Sequence, residues 1–272
     1  MSRESFVNHS YSSWKGFLND ISYFSNDMGF IFRGHGCSSW KLNTTLDRLF
    51  ERIEPEGIDL DSTYDFLLAE FVKSIRGRSG ISKDILQNNE ELWALGQHYG
   101  LATPLLDWTH SIFVAIFFAF ENPTPSKTGH RAIWAFHTHS SVIDKMETFN
   151  SGKDFKDIFK LIEPISDENP RLITQSGLFT KLPLNFDFIN WVKTELLGDA
   201  PYLIKINLPE SERVNILKHL RLMNIHPATL YPEVDGAAKF CNLTLELLTE
   251  KHKNHRKEKL EKELELLQKN VE

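Results

Sequence analysis

The sequence predicts an α+β fold, because helical patterns dominate its first half and strand patterns become common after Pro123. The helical patterns are apolar residues three and four positions apart, and the strand patterns are short apolar runs with partial alternation. Strands and helices do not alternate regularly, which favours α+β over a parallel α/β sheet. With 272 residues, 41% of them apolar, the chain is long enough to bury an adequate core.

The first half of the chain is predicted to form four helices and one strand. Apolar residues recur at helical spacing over residues 11–26, 61–75, 90–99 and 111–121. Residues 28–33 are instead a short, strongly apolar run that ends in Arg-Gly, which is typical of a buried strand. Between the last two helices we expect a polar connection in which Asp107 or Thr109 caps the next helix.

The second half is predicted to contain strands with helices inserted between them. Strand patterns occupy residues 131–137 and 202–207. Helical patterns occupy residues 154–162, 188–197 and 210–223. Strands are thus concentrated in this half, whereas helices occur in both.

Residues 246–272 differ in composition from the rest of the chain and alternate between basic and acidic residues. Their apolar residues fall on one stripe, which consists of Leu260, Leu264, Leu267 and Val271. The pattern predicts a charged amphipathic helix that docks on its own domain, on an inhibitory partner or on a second copy of the chain. We therefore divide the chain into a domain at residues 1–245 and a terminal helix at residues 246–272.

Charge and composition exclude several classes of protein. A formal net charge of −6 excludes a strong general attraction to nucleic acid, although a local basic groove is compatible with it. The longest apolar run, Ile112–Phe120, has nine residues and is too short to cross a bilayer, so we expect no membrane contact. Cys37 and Cys241 lie far apart, which indicates a reducing compartment, and we expect a cytoplasmic protein.

The first group of residues suited to chemistry is Phe30-Ile-Phe-Arg-Gly-His-Gly36. Arg33 ends an apolar strand, and Gly34 allows the backbone beside it to approach a ligand closely. A guanidinium group suits phosphate or carboxylate because it donates paired hydrogen bonds. A structural ion pair between Arg33 and a nearby carboxylate explains the pattern equally well.

The second group lies in the segment from Ala94 to Thr109. Gln97, His98 and Tyr99 end one helix, and Asp107 precedes the next. Polar side chains between two apolar elements require hydrogen-bond partners when they are buried. Each of these residues alone favours a structural role, with Asp107 as a cap or as the partner of Arg33.

Together these residues resemble the FRG domain, which is named for its Phe-Arg-Gly triplet. The resemblance is carried by Phe32-Arg-Gly34, by Gln97-His-Tyr-Gly, by Leu105-Leu-Asp-Trp-Thr109, and by the later segments Arg171–Phe179 and Leu230–Gly236. It covers about residues 10–245 and implies one FRG-type domain with N-terminal helices, a strand-rich half and the charged C-terminal helix. FRG proteins resemble bacterial or phage-related proteins, which implies a toxin or an anti-phage effector.

The order of the motifs is also similar to that of ADP-ribosyltransferases of the Arg–Ser–Glu type, which use NAD as a substrate. That similarity implies that Arg33 holds the NAD phosphates, that Gln175 and Ser176 occupy the serine-containing strand, and that Glu233 stabilises the developing oxocarbenium ion. Tyr99, Phe179 and Tyr231 are then candidate walls for the nicotinamide ring. Gly34, Gln97, His98 and Asp107 complete the candidate pocket.

Three functions remain open at this point. The first is an ADP-ribosyltransferase that modifies nucleic acid or protein, and it requires both Arg33 and Glu233. The second is a module that binds a nucleotide or phosphate ligand without turnover, which requires Arg33 but not Glu233. The third is a metal-dependent nuclease, motivated by scattered carboxylates such as Asp187 and Glu195. We expect no bound metal, because His137 and His139 lack a third ligand in the sequence.

Overall fold

The described residues of a computed structural model form a mixed sheet covered by helices. The structure describes residues 4–25, 27–53, 60–77, 85–164, 170–198 and 200–269. Its strands are β1 (Phe6–Ser10), β2 (Phe30–His35), β3 (Leu105–Thr109), β4 (His130–His137), β5 (Lys160–Ile162), β6 (Gly177–Lys181) and β7 (Leu203–Pro209). The α+β class predicted from the sequence is confirmed.

The strands pair in the order β1-β7-β4-β2-β3-β6-β5, which makes a seven-stranded sheet within the described residues. β1 and β7 are parallel, and the other neighbouring strands are antiparallel. The sheet therefore draws strands from the whole length of the chain.

Helices lie on both faces of this sheet. In chain order they are α1 (Trp14–Asp20), α2 (Ser22–Ser25), α3 (Thr45–Ile53), α4 (Leu60–Ile75), α5 (Asn89–His98), α6 (Ile112–Phe120), α7 (Ser140–Asn150), α8 (Pro170–Thr174), α9 (Phe188–Glu195), α10 (Arg213–Leu222), α11 (Pro227–Leu230) and α12 (Val234–Lys269). None of the described helices combines the length and the apolar character needed to cross a membrane.

The buried side chains form three clusters. The first joins α1, α6, α10 and α12 to β2, β4 and β7. The second lies on the opposite face, where α7 and α9 pack on the sheet. The third joins α3, α4 and α5 to β3, β5 and β6. Strand β2 contributes to both faces, because Phe30 and Phe32 belong to the first cluster and Ile31 to the second.

Helix α6 packs directly against β2 at Gly34. A Cβ atom on Gly34 would lie 2.0 Å from the backbone oxygen of Ala115 and 2.6 Å from the backbone nitrogen of Ala119. Both distances are far below van der Waals contact, so only glycine permits this approach. The backbone of α6 thus occupies the space that a side chain at position 34 would need.

The C-terminus of α6 is held by two arginine side chains. Arg131 is fully buried and donates from Nη1 to the Ala119 carbonyl oxygen at 2.7 Å, while its guanidinium also pairs with Glu210. Arg213 donates to the carbonyl oxygens of Phe120 at 2.9 Å and Glu121 at 3.0 Å. These bonds satisfy carbonyl groups that have no partner inside the helix.

The structure adds strands that were not predicted, and it corrects one predicted cap and one predicted helix. β1 and β3 were not predicted, and Asp107 lies inside β3 whereas Ser111 accepts the capping hydrogen bond of α6. Residues 154–162 do not form a helix but a short 3-10 turn followed by β5. Alternation is hard to detect in such short strands, which explains these errors.

The charged terminal helix is part of α12, which begins at Val234 and continues without a break to Lys269. The boundary at residue 246 therefore corresponds to no break in secondary structure. The predicted stripe at Leu260, Leu264, Leu267 and Val271 lies outside the residues whose side chains the structure describes.

Replacement of Gly34 by alanine is expected to lower the free energy of unfolding by about 2 kcal/mol or more, because a backbone contact must open. The matched control is Gly36→Ala, whose Cβ would meet Trp40 at an ordinary distance of 3.5 Å. Thermal and denaturant unfolding followed by circular dichroism measure both. Equal stability of the two variants would contradict the close packing of α6 on β2.

Candidate functional site

A cavity of about 390 Å³ opens where β2 and β3 separate. It lies between the first and third buried clusters, with α5 and α6 on two sides and α8 on another. Its lining consists of Phe32, Arg33, Gly34, Ala94, Gln97, His98, Asp107, Trp108, Thr109, Phe118, Glu121, Arg171, Leu172, Gln175, Gly177, Leu178, Phe179 and Tyr231. The volume is within the usual range for small-molecule sites.

The cavity exists because two neighbouring strands pair at only one position. β2 and β3 share the pair Phe32–Thr109, whereas β2 pairs with β4 along its whole length. Beyond this point the Arg33 side chain bridges the two strands, and its Nη1 donates to the Asp107 carbonyl oxygen at 2.7 Å. A side chain thus replaces the backbone ladder, and the sheet opens without leaving that carbonyl unpaired.

Arg33 is held in a fixed orientation by three contacts. Its Nε donates to Nε2 of His35 at 3.0 Å, and its Nη1 also lies 3.3 Å from Oδ2 of Asp107. Burial lowers the pKa of Arg33, and the Asp107 carboxylate opposes that shift. Arginine nevertheless remains protonated in proteins. Its Nη2 makes no hydrogen bond to the described residues, so one face of the guanidinium is available to a ligand.

Asp107 is itself held by the side-chain amide of Gln97. Nε2 of Gln97 donates to Oδ1 of Asp107 at 2.8 Å, and Oε1 of Gln97 accepts from the hydroxyl of Thr103. Thr103 in turn is tied to Thr45 of α3 through its backbone nitrogen at 2.8 Å. A chain of hydrogen bonds therefore runs from α3 to Arg33 and fixes the carboxylate that orients the guanidinium.

Arg171 supplies a second guanidinium group to the cavity. Its Nε lies 3.0 Å and 2.9 Å from the two carboxylate oxygens of Glu233, and its Nη2 lies 3.3 Å from Oδ1 of Asp235. The guanidinium also lies over the ring of Tyr231 at 5.5 Å. Hydrogen bonds and charge from Glu233 raise the pKa of Arg171 against the opposing effect of burial.

Glu233, the predicted catalytic residue, is therefore the partner of Arg171 and does not line the cavity. Burial by itself would raise the pKa of Glu233, but the hydrogen bonds and the charge of Arg171 together lower it. An ionised carboxylate in this position orients the arginine.

Glu121 lines the cavity, where it is a second carboxyl group besides Asp107. It follows the last residue of α6, and its Oε2 accepts a hydrogen bond of 2.7 Å from the hydroxyl of Tyr231. Burial raises the pKa of Glu121, although the bond from Tyr231 and the charge of Lys239 oppose that shift. A raised carboxyl pKa in a cleft is a common feature of functional sites.

Several of the other predicted residues also line the cavity. Phe179 and Tyr231 form aromatic parts of its wall, and Gly34 lies beside Arg33. His98 lines the cavity, and burial together with the charge of Arg171 lowers its pKa, so its imidazole is neutral at pH 7. Gln175 lines it as well, and its amide Nε2 donates to the Leu230 carbonyl oxygen at 3.0 Å.

Besides Glu233, two predicted residues lie outside the lining. Tyr99 is 73% exposed and packs its ring against His98 with the ring centres 4.8 Å apart. Ser176 stands before β6 rather than in it, with a φ of 47°, and its carbonyl oxygen accepts from the His110 backbone nitrogen. The predicted serine-containing strand therefore begins one residue later, at Gly177.

Sequence reasoning missed Arg171 and Glu121 as site residues. Arg171 stands in the motif Arg171–Phe179 but was given no role, and the partnership with Glu233 links segments 62 positions apart. Glu121 is the first ionisable residue after the apolar run Ile112–Phe120. This position is the sequence feature that could have identified it as a site residue. A carboxyl group directly after a buried helix is well placed to be partly buried itself.

Within the described residues, no group of three or more His, Cys, Asp or Glu side chains could hold a metal ion. Comparison with curated proteins and with solved structures finds no significant match. The family model described as the FRG domain matches residues 28–128. This range runs from β2 to just beyond α6 and contains eleven of the lining residues, among them Arg33, Asp107 and Glu121. Residues 28–128 therefore correspond to the FRG domain.

Proposed function

We propose that the protein is an ADP-ribosyltransferase-like effector that uses NAD as its substrate and modifies nucleic acid or protein. The observation that carries the proposal is that two guanidinium groups line one cavity together with aromatic rings and with a carboxyl group additional to the Asp107 that orients Arg33. They belong to Arg33, Arg171, Glu121, Phe179 and Tyr231. A cytoplasmic toxin or phage-defence role and an inhibitory partner on residues 246–272 are part of the same proposal.

The two arginines suit the diphosphate of NAD. Each is oriented by a carboxylate, Arg33 by Asp107 and Arg171 by Glu233, so little side-chain freedom is lost on binding. A guanidinium fork donates paired hydrogen bonds to phosphate oxygens. The rings of Phe179 and Tyr231 offer apolar surface to the nicotinamide.

Glu121 suits the electrostatic part of the reaction. As the bond between ribose and nicotinamide breaks, nicotinamide leaves with the bonding electrons and positive charge develops on the sugar. A partly buried carboxylate stabilises that charge more strongly than a carboxylate in water does. The acceptor then forms the new bond to the sugar and loses a proton, for which the neutral imidazole of His98 is a suitable base.

A module that binds a nucleotide or phosphate ligand without turnover is the second candidate. The raised pKa of Glu121 favours it, because a protonated carboxyl group does not repel an anionic ligand. Such a module requires Arg33 and Arg171 but not an ionised Glu121. The metal-dependent nuclease has no candidate ligand cluster in the described part of the chain.

The first test is release of nicotinamide from NAD in the presence of total bacterial RNA, DNA or lysate protein. We expect release with one class of acceptor and a loss of at least a hundredfold in Arg33→Ala, since a phosphate contact and the orientation of the substrate are lost together. The matched control is Lys15→Ala, which removes an exposed cation on α1. Absence of release with every acceptor, together with NAD binding that depends on Arg33, would favour the binding module.

Glu121→Gln and Glu233→Gln distinguish the two carboxyl groups. We expect Glu121→Gln to lower the rate at saturating NAD by about 100-fold or more with little change in NAD affinity. Glu233→Gln is expected to weaken NAD binding several-fold, because Arg171 loses its ionised partner, and to leave the saturated rate nearly unchanged. The reverse pattern would return the catalytic role to Glu233.

The rate should depend on pH through Glu121. Because the pKa of Glu121 is raised and the ionised form is required, the saturated rate should fall as the pH drops through a value above 4.5. Tyr231→Phe removes a hydrogen bond that lowers this pKa, so the acidic limb should move to higher pH. A pH–rate profile of both proteins measures the shift, and an unmoved limb would separate Glu121 from the reaction.

A further inference from the structure

A second cavity of about 410 Å³ lies beside the first and shares two of its residues, Gln97 and Asp107. The rest of its lining comes from α3 and from the segment that follows α5. Those residues are Thr45, Arg48, Leu49, Arg52, Gly100, Leu101 and Ala102. The two cavities are therefore neighbours across the side chains that orient Arg33.

The second cavity is basic. Arg48 and Arg52 are one turn apart on α3, so their side chains project from the same face of the helix. Nη1 of Arg48 donates to the Asn43 carbonyl oxygen at 2.6 Å, whereas Arg52 forms no hydrogen bond or ion pair with the described residues. The charge of Arg48 contributes to the lowered pKa of Arg33, so the positive potential continues from one cavity to the other.

The one acidic side chain in this lining is Asp107, and it is already engaged. Its two carboxylate oxygens contact Arg33 and Gln97. The positive charge of Arg48 and Arg52 is therefore not neutralised within the described lining.

Tyr99 stands at the junction of the two cavities. Its neighbours in the chain are His98, which lines the first cavity, and Gly100, which lines the second. The Tyr99 ring is 73% exposed and rests on His98. A large exposed ring beside a basic cavity contributes little to a core but suits stacking against a planar group.

We propose that the second cavity binds the acceptor and that the acceptor is a single-stranded nucleic acid. Phosphates of its backbone contact Arg48 and Arg52, and one base stacks on Tyr99, which brings the neighbouring nucleotide to the first cavity. Cationic side chains along a groove combined with an exposed aromatic ring are the usual means of binding single strands without sequence preference. This assignment rests on the transferase proposed above and names the class of its acceptor.

The test measures, by fluorescence anisotropy and without NAD, the binding of labelled single-stranded RNA and DNA to the protein. The oligonucleotides have about 12 nucleotides, which is within the usual range of site sizes for proteins that bind single strands. The double variant Arg48→Ala/Arg52→Ala should bind at least tenfold more weakly. Its plot of log affinity against log salt concentration should be less steep by about 1.4, as expected for two lost phosphate contacts. Tyr99→Ala should weaken binding about tenfold, whereas Tyr99→Phe retains the ring and should bind as the wild type does.

The matched control is Lys15→Ala/Lys145→Ala, which removes the same charge from exposed positions on α1 and α7. Equal weakening in both double variants, or no binding by the wild type, would overturn the proposal, as would an acceptor found only among proteins. Arg52→Ala/Tyr99→Ala serves as a second variant if the loss of Arg48 impairs folding. NAD binding should be unchanged by Arg52→Ala, because Arg52 does not line the first cavity. Nicotinamide release by a wild-type protein that binds no oligonucleotide would reject this acceptor and retain the transferase.

Discussion

The contact between α6 and β2 at Gly34 is the constraint on which the candidate site depends. Because Gly34 has no side chain, the helix backbone lies directly on the strand. This contact fixes the end of α6 relative to Arg33, and the buried guanidinium groups of Arg131 and Arg213 anchor that end from the other side. Glu121 follows α6 immediately, so packing in the core sets the position of a carboxyl group in the cavity.

The opening between β2 and β3 is the second feature on which the candidate site depends. A sheet that stopped pairing after Phe32–Thr109 would leave backbone groups without partners. Arg33 satisfies the Asp107 carbonyl oxygen and at the same time holds a positive charge at the cavity. One side chain thus stabilises the irregular sheet and prepares the site, and the FRG triplet combines both roles with the close approach of α6 at Gly34.

Carboxylates oriented toward guanidinium groups recur around the cavity. Asp107 orients Arg33, and Glu233 with Asp235 orients Arg171. Each arginine is partly neutralised before a ligand arrives, which lowers the cost of keeping two positive charges near each other. Glu121 is different, since it accepts a hydrogen bond from a neutral tyrosine and its pKa is raised by burial. The carboxyl groups at the cavity therefore have two kinds of environment, one beside an arginine and one beside a neutral tyrosine.

Helices with a clear apolar stripe were predictable from local pattern alone. Those at 61–75, 90–99 and 111–121 were found within one or two residues of their bounds. Short strands such as β1 and β3 were not, because their stability comes from neighbours distant in the chain and not from local propensity. The same limit applied to Asp107. Its position before an apolar run predicted a helix cap, but pairing with β6 places it in strand β3.

The sequence by itself determined the α+β class, the FRG motifs and eight of the eighteen residues that line the cavity, because these depend on local periodicity and on residue type. Only the tertiary structure decided that Glu121 lines the cavity, that Glu233 pairs with Arg171, and that the exposed Tyr99 adjoins residues of two neighbouring cavities. The physical reason is that charge pairing and burial depend on distances between segments far apart in the chain, which no local pattern encodes.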